Sequence, residues 1–120
     1  MSSPSKLPQL TPEQRKELER YSQLVQQLDF IRLQIQQQEV EKRDVETALK
    51  ETSNLAPDTV IYRSAGRILY QTTVDAVKKY LSEEREKLDV RINSLRSREQ
   101  KLLSAIKELQ SKLSSQLQPK

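Results

Sequence analysis

A chain of 120 residues with 34% apolar and 32% charged content, 5 prolines and no tryptophan is too polar for a large globular core. It has no Cys and no His, which removes zinc sites built on those ligands, disulfides, thiol chemistry and every His-based general base. A single glycine excludes a P-loop or dinucleotide fingerprint, and the net charge of +4 lies on stretches where both signs alternate, as on solvated helix faces. The residues offer no catalytic site, no metal site and no cofactor site, so the chain reads as a non-enzyme.

Residues 1–10, "MSSPSKLPQL", hold three Ser and two Pro and predict a disordered tail. They contain no hydrophobic core of a secretory signal. No apolar run in the chain approaches the roughly 20 residues of a membrane span, and the expectation is a cytoplasmic protein. The next stretch, "TPEQRKEL", opens a helix: Thr11 is a good N-cap, Pro12 suits the first helical position, and Gln14 completes a capping box. Steps of three and four then give Tyr21, Leu24, Leu28, Ile31, Ile35, Gln38, Lys42, Val45 and Leu49, a heptad seam interrupted only by Gln38 and Lys42. In "SNLAPD", Pro57 forces Ala56 out of helical geometry and Asp58 favours a turn. The spacing predicts a first helix over 12–53, about 60 Å long.

The connection, 54–72, contains "VIYRSAGRILYQ", two runs of β-formers around the chain's one glycine. It predicts a β-hairpin turning at Ser64-Ala65-Gly66, with Gly66 at the left-handed position of a bulged three-residue loop. In that register Tyr62 opposes Ile68 and Val60 opposes Tyr70, while Ile61 and Leu69 share the other face with Arg63 and Arg67.

A second helix is predicted over 73–117, with Thr72 or Thr73 as its cap. Leu81, Leu88, Leu95, Leu102 and Leu109 repeat every seven residues, beside a row of Arg85, Ile92, Glu99, Ile106 and Leu113. Five leucines in register suggest a DNA-binding zipper, but that class needs a strongly basic helix just before the zipper, and "RILYQTTVDAVKKY" is not one. Arg91, Arg96, Arg98 and Lys101 make part of this helix positive. Mixed signs and the lack of interleaved aromatics argue against a nucleic-acid partner.

Two helices of nearly equal length fold most simply as an antiparallel coiled coil, each burying its stripe on the other. The pairing is expected to bring Tyr21 near Leu109 and Leu49 near Val77, with Tyr80 and Leu81 level with Lys42 to Val45. The hairpin is the difficulty. Two strands alone are marginal in water, and this ribbon has two open edges carrying Ile, Tyr and Leu. Hairpins from several chains, pairing edge to edge into a β-barrel, would leave no edge free. The residues Val60, Ile61, Tyr62, Gly66, Ile68, Leu69 and Tyr70 are therefore the expected oligomerisation element. The alternative is a hairpin folded back on its own stem.

Two long helices joined by one hairpin, with Tyr62-Arg63-Ser64-Ala65-Gly66 at its turn and "RILYQTT" leading to Asp75-Ala76, resemble a prefoldin subunit over about 11–117. The α-type subunit carries two hairpins and needs a longer connection, so the chain is similar to the β-type, in its archaeal form. The resemblance implies a hexamer of two α and four β subunits. It also implies an ATP-independent holdase that binds unfolded client proteins and passes them to a group II chaperonin.

With the hub at the hairpin, the client-binding tips would be the outer turns of the helices. They carry Leu18, Tyr21, Leu24 and Val25 on the first and Ile106, Leu109, Leu113 and Leu117 on the second. Exposed apolar surface there would give weak, sequence-blind contact multiplied over several arms. The same leucines also suit ordinary seam packing. A coiled-coil scaffold with one folded partner, without general binding of unfolded protein, is the competing reading.

Overall fold

The computed structural model describes residues 9–117. The expected tail, 1–10, falls almost wholly outside the described residues. Within them the order is helix α1 (Pro12–Ser53), strand β1 (Ile61–Ala65), strand β2 (Ile68–Thr72) and helix α2 (Val74–Leu117). Two long helices flank one antiparallel two-stranded sheet.

Local chemistry sets the helix ends. Gln14 N donates to Thr11 Oγ1 at 3.1 Å and Thr11 N donates to Gln14 Oε1 at 2.9 Å, the reciprocal box that satisfies two otherwise orphaned amides. Asn54 and Leu55 close the other end by donating to the carbonyls of Glu51 and Thr52. A turn follows in which Thr59 N donates to Ala56 O, with Pro57 at the position where its fixed φ fits. Of the two candidate caps for α2, Thr73 serves, its Oγ1 accepting from Ala76 N at 3.2 Å.

The described chain divides into two compact units, one of residues 9–33 with 96–117 and one of residues 34–95. In the first, α1 and α2 run antiparallel: Glu17 pairs with Lys112, and Arg32, further along α1, pairs with Glu99 further back along α2. Its core is Leu28, Ile31, Ile106 and Leu113, all seam positions. In the second unit Ile35, Val74, Leu88 and Ile92 are buried. Seam leucines not fully covered, Leu49, Leu81 and Leu95, are half-buried there. Arg85 is exposed and takes no part in the seam.

The two polar seam positions differ in how they are met. Lys42 is half-buried, and its ammonium reaches Asp89 at 2.7 Å. The hydrogen bond to Asp89, then the charges of Asp89, Glu46 and Glu39, hold its ammonium above the ordinary lysine range. Gln38 keeps a buried Oε1 with no partner among the described residues.

The Lys42–Asp89 pair corrects the expected helix register in this unit, which put Tyr80 and Leu81 at that level. Asp89 lies about two turns further along α2. The connection is no tight turn: seven irregular residues and two strands intervene before α2, so its first turns run past the end of α1 before the seams meet.

Candidate functional site

The hairpin is built on Gly66, whose φ of +59° is the one left-handed backbone conformation among the described residues. It occupies the first of two loop positions, Gly66-Arg67, as in a type II′ turn, whose twist matches the flanking strands. This overturns the expected three-residue loop and its register. The pairs are Ile61 with Thr72, Tyr62 with Gln71, Arg63 with Tyr70, Ser64 with Leu69 and Ala65 with Ile68. Tyr62 therefore faces Gln71, not Ile68, and Val60 lies before the strand instead of opposite Tyr70.

Side chains alternate across this sheet, so Ile61, Arg63, Ile68 and Tyr70 share one face, and Tyr62 and Leu69 the other. Arg67 lies in the turn and, contrary to expectation, does not share a strand face with Arg63. Arg63 instead lies over the ring of Tyr80 on α2, 3.4 Å from its centroid. That contact ties β1 to the helix, and Ile61 and Arg63 are half-buried. The rest of the ribbon is open: Ile68 is 65% and Leu69 68% exposed, with Val60, Tyr62 and Tyr70 also exposed. Each strand has one neighbour, so the outer amides and carbonyls of both are unpaired within the sheet. The ribbon thus combines exposed apolar side chains with two open strand edges.

The first unit holds the expected tip residues. Leu18, Tyr21, Leu24, Val25 and Leu109 are half-buried, whereas Ile106 and Leu113 are buried in the helix pair. The side chain of Leu117 lies outside the described residues. Glu17 accepts from Lys112 at 2.7 Å across this end, and that hydrogen bond is the main reason the Lys112 ammonium is held above its ordinary range. The second carboxylate oxygen of Glu17 is buried and unpartnered among the described residues.

Seam reasoning missed the most accessible apolar side chains of this unit, Phe30 and Leu33. The signal was present, since both fall between the steps Leu28, Ile31 and Ile35. Phe30 borders a groove of about 500 Å³ whose other wall carries Leu102, Arg98 and Lys101. Among the described residues no group of His, Cys, Asp or Glu is clustered to hold a metal, and no helix is long and apolar enough to cross a membrane.

Known proteins share this architecture. A family described as "Prefoldin subunit" matches residues 15–120. The prefoldin subunit beta of Pyrococcus furiosus is 36% identical over 86% of this chain and 86% of its own length. That of Caldivirga maquilingensis is 36% identical over 88% of this chain and 87% of its own. The crystal structure of the prefoldin beta subunit from Thermococcus strain KS-1 superposes with a TM-score of 0.89 at 32% identity, covering 93% of this chain and 98% of that one. The long seams, the single exposed hairpin and these likenesses lead to one assignment: the chain belongs to the prefoldin subunit family, as a member of its β type.

Proposed function

We propose that the chain is the β subunit of an ATP-independent holdase in the cytoplasm. In this reading the hairpins of two α-type and four β-type subunits close a shared β-barrel hub. The coiled-coil ends capture unfolded client proteins and hand them to a group II chaperonin. The observation that carries the proposal is the open ribbon, with Tyr62, Ile68, Leu69 and Tyr70 in water beside two unpaired strand edges. Natural proteins avoid leaving such edges bare, because they template pairing with other chains. Membership of the prefoldin family supports the chaperone role.

Client contact is assigned to the outer turns: Leu18, Tyr21, Leu24, Val25 and Leu109, with Leu117. Ile106 and Leu113 join them when the helix end opens, since both are buried in the closed pair. Each apolar side chain so covered contributes about 1–2 kcal/mol. One end then releases a client quickly and several ends together retain it.

Light scattering on the purified chain, alone and with a co-expressed α-type subunit, tests the hub. A mixture that remains monomeric at micromolar concentration would remove it. Capture is tested by suppression of aggregation of a denatured protein without nucleotide. Deleting residues 1–20 and 111–120 should lower suppression while the assembly persists; unchanged suppression would reject the assignment to the ends.

A further inference from the structure

We propose that the groove beside Phe30 seats a short extended peptide in which an apolar side chain is flanked by carboxylates. The inference rests on the capture of unfolded polypeptide argued above, and it specifies which segments of a client are preferred.

Three features of the groove converge on that ligand. Phe30 is the chain's single phenylalanine and stands 60% exposed, off the seam, with Ile31 and Leu102 forming apolar floor beside it. A lone aromatic at the mouth of an apolar groove gains most by covering another apolar side chain. Along one wall Gln23, Gln26 and Gln27 present amides, each able to donate and accept, which suits a peptide backbone whatever its sequence. On the opposite wall stand Arg98 and Lys101, neither of which makes an ion pair among the described residues. The carboxylate between them in sequence, Glu99, is already taken by Arg32 at 3.1 Å. The lining of the groove thus carries two cations and no carboxylate. Acidic flanks on a bound segment would neutralise them, and basic flanks would be repelled.

The test uses the full chain and two short labelled peptides of identical apolar content, one flanked by Glu and the other by Lys, titrated by fluorescence anisotropy at low salt. The Glu-flanked peptide should bind roughly fivefold tighter, a margin set by two surface charge contacts. The preference should fade as salt is raised. Arg98→Glu with Lys101→Glu should reverse it, and Phe30→Ala should weaken both peptides. Circular dichroism should show unchanged helicity in each variant, since all three side chains are exposed.

Equal binding of the two peptides, or a preference indifferent to the charge reversal, overturns the inference. So does a fall in the chain's solution mass on Phe30→Ala, which would make the groove a contact between copies. Suppression of aggregation is measured in parallel. If suppression persists while peptide preference is absent, this site is wrong and capture stands. If the acidic peptide binds selectively but no client is protected, the site stands and general capture falls.

Discussion

Both units of the chain bury apolar seam residues, but only one of them also carries a ribbon that holds the same kinds of side chain in water. In the unit of residues 9–33 and 96–117, Leu28, Ile31, Ile106 and Leu113 are buried in the seam, and the exposed Phe30 and Leu33 lie off it. In the unit of residues 34–95, a comparable set of aliphatic and aromatic residues is held in water on a ribbon whose backbone groups are half unpaired. Helices satisfy their own hydrogen bonds, so an antiparallel pair can stop at two. A ribbon cannot, because each strand always has a second side. The difference leaves the helix pair's backbone satisfied within itself, whereas the ribbon keeps two strand edges open.

The sharpest break of that contrast is Ile68→Asp combined with Leu69→Asp. Both side chains are exposed, so the isolated chain should keep its helicity by circular dichroism. Assembly by light scattering should weaken at least about 100-fold, the scale of losing central apolar contacts. Preserved assembly would show that the ribbon is not the contact. Next comes Leu88→Ala, at a side chain 1% exposed in the seam, which should cost about 2–5 kcal/mol in chemical denaturation. Gly66→Ala should cost about 1–2 kcal/mol. An added Cβ would meet nothing within 4 Å, so this cost is the backbone conformation alone, and it should register in assembly more than in helix content. Gln38→Leu should stabilise the chain by about 1 kcal/mol, because it replaces a buried carbonyl oxygen lacking a donor with a side chain that needs none.

The smallest effect is on pH. The Lys42 and Lys112 ammoniums are raised by Asp89 and Glu17, so the pairs favour the folded chain fully below the ordinary lysine range. That contribution is lost as pH climbs through the raised values. Both groups are solvent-accessible, so the change in thermal midpoint should be slight. It should be smaller still in Lys42→Gln with Lys112→Gln, when the two proteins are compared over the same alkaline series.

Much of this architecture is legible from residue order alone. The seam from Tyr21 to Leu49 and the leucine row of α2 mark positions that are buried or half-buried, because a two-helix pair has one stripe to cover and the 3–4 step names it. Thr11 and Gln14 announce their reciprocal bonds by spacing alone. The hairpin's existence follows from β-formers around a glycine. Its register does not, since Gly66 fits a left-handed position in either a two- or a three-residue loop, and Arg63 finds Tyr80 only once the fold brings α2 beside β1. Helix offset was hidden for a related reason. It depends on how far the irregular stretch 54–60 carries the chain, which no periodicity records. Phe30 and Leu33 were overlooked because a seam-based reading looks for what is covered, and these are conspicuous for being uncovered.

The stack of Arg63 on Tyr80 has a consequence for speed as well as for strength. A two-stranded ribbon on a glycine-free tether would otherwise swing about its root, and each swing would be freedom lost on docking. In the proposed hub, strands fastened to α2 would meet an incoming edge already aimed. Encounters would then fail less often for want of alignment, and a free subunit would spend less time offering bare strands to the wrong neighbours.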